Sequence, residues 1–198
     1  LFDGAAWRPI APLPEPLGAS GIAVLEERIH VLGGKGRERD VTAHYLYDPA
    51  RDRWEQRAPL PVARDHLAAA VLDGRLYVTG GRLEGSISQN LNRVDVYDPQ
   101  TDTWREGPPL VHARSGHAAV ALGPRILVFG GEEPGRTIAP LELLAGDRWT
   151  ATTRLPTPRH GLGAVALGPT IYVLSGGKRP ALSVSGSNEA LTVLAPPN

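Results

Sequence analysis

Apolar and polar positions along this chain come in short bursts. Runs of five to seven mostly apolar residues are separated by turn residues, and none sustains the 3.6-residue recurrence of a helix. Such runs predict strands. Residues 117–122 (HAAVAL) predict one strand, Gly123-Pro124 a turn, and residues 125–129 (RILVF) a second strand. The same turn is written Asp73-Gly74 earlier in the chain, a dipeptide suited to a two-residue hairpin with positive φ. A third strand is predicted at residues 44–47 (HYLY) and again at 94–97 (VDVY). Asp48-Pro49 and Asp98-Pro99 end these strands, Asp by bonding nearby N–H groups and Pro by withholding a donor. A fourth strand carries a tryptophan.

This order of events recurs. Tryptophans fall at Trp7, Trp54, Trp104 and Trp149, spaced 47, 50 and 45, and glycine pairs keep the same beat at Gly33-Gly34, Gly80-Gly81 and Gly130-Gly131. Ser175-Gly176 stands in register for the fourth. The chain therefore reads as one all-β domain of four repeats of about 47 residues, roughly 13–57, 58–107, 108–153 and 154–194, each a four-stranded blade. Side-chain size supports a radial arrangement. The first strand of each unit is built from small residues (Ala68-Ala69-Ala70, Ala118-Ala119, Gly163-Ala164), while Tyr and Trp wait for the later strands. That taper suits crowded inner strands and wide outer gaps. The glycine pairs allow close approach and positive φ where the second strand ends. One tryptophan per repeat reads as packing between blades rather than as a sugar-stacking surface.

An apolar strand, Gly-Gly, a variable loop, Tyr-Asp-Pro, Trp and then Pro-Leu-Pro-x-x-Arg together resemble the kelch repeat of β-propellers over almost the whole chain. The third unit departs, with residues 143–146 (LLAG) in place of Tyr-Asp-Pro, and the first lacks the arginine that precedes the inner strand. The ends suggest two arrangements. Residues 1–7 align with 143–149, and the last unit has a third strand at 188–194, stops at Pro196-Pro197 and has no fourth strand. Residues 6–11 are thus expected to close the last blade in a four-bladed ring, or the four units form part of a larger ring.

Composition narrows the function. Lys+Arg 21 against Asp+Glu 21 gives no net charge to hold nucleic acid or an anionic membrane surface, and no apolar run approaches the roughly 18 residues of a membrane span. Any charge-driven role must be local. The absence of methionine indicates that residue 1 is not an initiator, and that the chain is processed or belongs to something longer. Zero cysteine removes disulfides, thiolate catalysis and cysteine-ligated metal, and with it the cross-linked cofactor of kelch-type galactose oxidase.

The candidate chemistry lies on loops. Arg64, Arg114 and Arg159 recur just before each inner strand. By resemblance to kelch substrate adaptors they are expected at the channel mouth, gripping carboxylates of an acidic peptide or a small acidic ligand through a planar fork. Their alternative is to tie blades together through carbonyls, Asp65 or Glu132. His66, His117 and His160 lie near the same junctions, but at different offsets from the arginines, so no metal site is expected. Asp40-x-x-x-His44 is similar to half of an iron motif of plant kelch specifier proteins, whose glutamate is replaced here by Gly36. The expectation is a non-catalytic, cofactor-free scaffold that presents the loops joining each fourth strand to the next inner strand, and each second strand to its third, to a protein or peptide. The alternative is a sugar-acid mutarotase using Glu132, Glu133 or Glu84 with Arg114.

Overall fold

Turn chemistry and β-branched runs together lay the chain out as successive antiparallel sheets. The structure, a computed structural model, describes residues 1–2 and 4–192. Blade 1 comprises β1 (Gly21–Leu25), β2 (Arg28–Leu32), β3 (His44–Asp48) and β4 (Arg53–Gln56), paired in that order. Blade 2 comprises β5 (Ala68–Leu72), β6 (Arg75–Thr79), a side hairpin β7 (Arg82–Leu83) and β8 (Ser86–Asn90), then β9 (Val94–Asp98) and β10 (Thr103–Glu106). In blade 3, β11 (Ser115–Leu122), β12 (Arg125–Glu133), β14 (Pro140–Ala145) and β15 (Arg148–Arg154) form the sheet, and β13 (Arg136–Thr137) folds back on β12. Blade 4 has β16 (Gly163–Leu167), β17 (Thr170–Leu174) and β18 (Asn188–Thr192). The whole is a four-blade propeller arrangement. The Asp73-Gly74 turn has φ of 49° and 69°, which suits the right-handed twist of the strands it joins.

The blades meet face to face, and β1, β5, β11 and β16 touch in succession along the inner side. Leu32, Leu76 and Tyr97 fill the seam between blades 1 and 2; Val96, Ile126 and Trp149 that between 2 and 3; Phe129, Leu162 and Ile171 that between 3 and 4. The Ala-rich inner strands fit here because the sheets converge toward the axis. Each Gly-Gly brings a strand end against the following blade: Gly80 and Gly81 have φ of 55° and 99°, and a Cβ on Gly80 would stand 2.5 Å from the Arg114 carbonyl oxygen.

A repeated clamp joins the outer parts of neighbouring blades. Asp102 accepts from the Tyr97 hydroxyl (2.7 Å) and the Ala58 N–H (3.0 Å), and Trp104 Nε1 donates to the Ala58 carbonyl (2.8 Å). Asp52, Tyr47 and Trp54 hold Ala11 in the same way, at 2.6–2.8 Å. The third unit loses the clamp at both ends. Leu144 replaces the tyrosine, Pro108 stands where Ala58 donates its N–H, and buried Trp149 Nε1 has no hydrogen-bond partner.

The tryptophans therefore differ. Trp149 is 4% exposed within the core, Trp54 and Trp104 are half-buried, and Trp7 is 81% exposed. Residues 6–11 do not pair with β18: Phe2 bridges Trp7, and the Leu1 ammonium and carbonyl both bond Arg8. Ala11 is anchored on blade 1 instead, which draws this segment toward Asp52 and Trp54. Blade 4 accordingly has three strands among the described residues, and the expected strand at 188–194 is seen to Thr192, with 193–194 and Pro196-Pro197 outside them.

Three histidines are buried as neutral rings. His44 Nδ1 donates to Ala58 O (3.0 Å), leaving Nε2 to accept from His30 Nδ1 (2.9 Å), and burial pulls both down to about 4. His117 falls to about 3 through burial and the nearby Arg114.

Two outcomes are expected. Trp149→Ala should cost about 3–5 kcal/mol in urea unfolding, whereas Trp7→Ala should change stability by less than about 0.5 kcal/mol. Because the folded histidines have lowered pKa values, the unfolded chain takes up protons first as pH falls below 6.5. Stability should then be full above that pH and decline toward pH 4, by about 1.4 kcal/mol per unit for each histidine. Urea midpoints at pH 7.5, 5.5 and 4.5 that stay level would show that the rings are hydrated.

Candidate binding face

The junction arginines occupy the blades, not the mouth. Arg64, Arg114 and Arg159 are each 0% exposed, so none can meet a ligand on the surface. Each reaches across its own sheet to a carboxylate on the third main strand. Arg64 pairs with Asp95 (2.9 Å) and donates to Gly80 O (2.8 Å). Arg114 pairs with Glu142 and donates to Gly130 O (2.8 Å); Arg159 pairs with Glu189 (2.8 Å) and donates to Val173 O (2.9 Å). The carboxylates hold equivalent register positions, opposite Val78, Val128 and Val173. In blade 1 that register pairs Val31 with Tyr45, and the arginine position holds Leu17. Arginine and acid are thus present together or absent together, a pattern visible in the aligned repeats.

The mouth is built from other residues. Arg82 donates to Asp65 (3.0 Å), to Glu132 (2.9 Å) and to His66 Nε2 (3.1 Å), so His66 carries its proton on Nδ1 and gives it to Asp65 at 2.6 Å. Glu132 continues the network to the Ala181 N–H (2.8 Å) and stands 3.6 Å from His160. On the other side Asp40 accepts from the Glu84 N–H (2.6 Å). Burial raises the Asp40 pKa, and the neighbouring Asp65 adds to the rise; burial opposes ionisation of Asp65, but His66 and Arg82 hold it below its usual range.

The three junction histidines separate: His66 joins Asp65, His117 bonds Thr79 inside the blade 2–3 seam (2.9 Å), and His160 bonds Arg179 O (3.0 Å). Among the described residues no three His, Cys, Asp or Glu side chains are grouped to hold a metal. The acid–arginine set considered for sugar-acid chemistry is not assembled either. Arg114 is buried, and Glu133 is paired with Arg136.

Two clefts open beside this network at equivalent blade junctions. One, of about 520 Å³ between blades 1 and 2, is lined by Glu15, Asp40, Glu84 and Arg39. The other, of about 400 Å³ between blades 3 and 4, is lined by Arg136, Arg154, Lys178 and Arg179, with no acidic side chain in its wall. Lys178 and Arg154 have no cationic counterpart in the other units, and Arg136 and Arg179 have one each, at Arg39 and Arg37, so the period does not mark the group.

A family model described as the KLHDC2/KLHL20/DRC7 Kelch-repeats domain matches residues 7–177. Kelch-like protein 22 of Rattus norvegicus and of Homo sapiens are each 44% identical over 52 residues, covering 25% of this chain and 8% of theirs; that of Xenopus tropicalis is 41% identical over 51 residues. The chain thus spans a small part of these relatives' length. A solved structure titled "Structure of YjhT" superposes with a TM-score of 0.74 over 96% of this chain and 69% of its own, at 20% identity, a likeness of fold.

Removing a buried guanidinium from its carboxylate should unfold rather than blunt. Arg114→Met leaves Glu142, 0% exposed, without its guanidinium and should cost about 3–5 kcal/mol. Arg64→Met should cost a similar amount, because each carboxylate keeps other donors: Arg93 on Asp95 at 2.6 Å, and the Val111 and His112 N–H groups on Glu142 at 2.7 and 2.9 Å. Thermal unfolding unchanged in both variants would show that these pairs do not hold the blades together.

Proposed function

The chain belongs to the kelch-repeat family, and on that premise we propose that it is a non-catalytic scaffold binding an acidic segment of a protein or peptide on its loop face. One observation carries this reading: four cations converge on the cleft between blades 3 and 4 with no acidic side chain in its wall. Arg136 is engaged by Glu133, while Arg154, Lys178 and Arg179 make no ion pair among the described residues. In a chain without net charge, cations gathered this way leave a local positive field for carboxylates. Two guanidinium forks favour planar carboxylates. The rigid blades keep the cleft's walls in place, so little ordering cost falls on the scaffold. A small acidic ligand would use the same groups. A catalytic reading lacks support, because Arg82, at the mouth, is already engaged by Asp65 and Glu132.

A fluorescein-labelled peptide with a run of aspartate and glutamate should bind with an affinity that falls as salt rises. Arg154→Ala and Arg179→Ala should each weaken it by about 1–3 kcal/mol without changing the melting temperature. Retention of the same affinity by the double variant would remove the cleft from the binding surface.

A further inference from the structure

The cleft between blades 1 and 2 occupies the position of the basic cleft and carries the opposite charge. Lys35, Arg82, Glu132 and Gly177 are equivalent, each bridged to the residue that leads into its inner strand. This register sets Arg39 with Arg136, Asp40 with Thr137 and Glu84 with Arg179. The frame is shared; residues 40 and 84 change the sign.

Asp40 makes this more than an acidic surface. Its side chain is 1% exposed, its Oδ2 accepts from the Glu84 N–H, and its Oδ1 takes no hydrogen bond. Lys35 Nζ stands 3.6 Å from that oxygen and 3.6 Å from Glu84 Oε2, close enough for attraction and too far to donate. A buried carboxyl oxygen without a donor is costly to leave unmet. Val41 and Pro59 give the same cleft an apolar wall.

We propose that this cleft binds a basic side chain, lysine or arginine, displayed by a polypeptide. Its cation sits between Asp40 and Glu84, and its methylene stem lies along Val41 and Pro59. Lys35 is the resident cation that an incoming one displaces. The site shares no residue with the basic cleft, so the two readings stand or fall separately.

The test is an NMR titration of the ¹⁵N-labelled chain with Nα-acetyl-lysine N-methylamide, and in parallel with its norleucine analogue. Saturable shifts are expected at residues 39–45 and 84 with the lysine compound and not with norleucine. Asp40→Asn should weaken binding by about tenfold. Glu84→Gln, at a side chain 63% exposed, should weaken it by about threefold without risk to the fold, and Lys35→Gln should tighten it by a similar factor. Shifts of equal size with norleucine, failure to saturate, or affinity unmoved by both Glu84→Gln and Lys35→Gln would overturn the proposal. Titration of the same sample with the acidic peptide reads residues 136, 154, 178 and 179 independently.

Discussion

A single row of backbone hydrogen bonds runs from blade to blade along the hub. His66 N–H donates to Ala19 O (2.9 Å), Gly116 N–H to His66 O (2.8 Å), and Gly161 N–H to Gly116 O (2.7 Å). A single residue must then send its N–H to one neighbour and its C=O to the other around the hub. His66 and Gly116 do both, and all four residues of the row, Ala19 and Gly161 included, have a left-handed backbone, at φ of 53°, 51°, 63° and 60° in chain order. Two of the four are not glycine, and that conformation costs an ordinary residue about 1 kcal/mol or more. The cost is offset by bonds that exist only when the hub is in register. Gly34, Gly81 and Gly131 each donate to the carbonyl of the next blade's residue 64, 114 or 159.

That constraint explains why the arginines turn inward. The residue whose carbonyl receives the glycine N–H is held with its Cα at the seam, and its side chain is directed over its own sheet toward strands two and three. A guanidinium there has no water, so it must find carbonyl oxygens and a carboxylate within the blade. Asp95, Glu142 and Glu189 supply it. The staple then ties the loop before each inner strand to the middle of the sheet, and the loops above it begin from a fixed base.

Much of this frame was legible in the chain. Strands, turns, blade count and the taper of side chains follow from Ala68-Ala69-Ala70, Asp73-Gly74 and the tryptophan spacing, because each reports a local backbone requirement that recurs at every unit. The arginines were legible as a recurrence but not as a location. Recurrence marks what the scaffold needs in every blade, and a ligand site on one face need not repeat. Trp7 shows the converse limit: its spacing matches the others, yet burial depends on a neighbouring sheet, and among the described residues Trp7 bridges Phe2 and no blade strand. The hydrogen bond from the Glu84 N–H to Asp40 joins residues of two blades across 44 positions of chain, which no period announces.

The functional part of the surface is therefore found by subtraction. Charges that recur are paired and buried, as Arg64 is with Asp95, and contribute no outward field. Charges that break the repeat remain on the loops, where a chain without net charge still carries one basic cleft and an equivalent acidic one. A neutral chain can in this way present two opposed fields at two blade junctions, each screened by salt over roughly 8–10 Å. On the reading proposed above, recognition would depend on the order of charges along the partner rather than on its total, because the rigid blades hold the two fields at a constant separation.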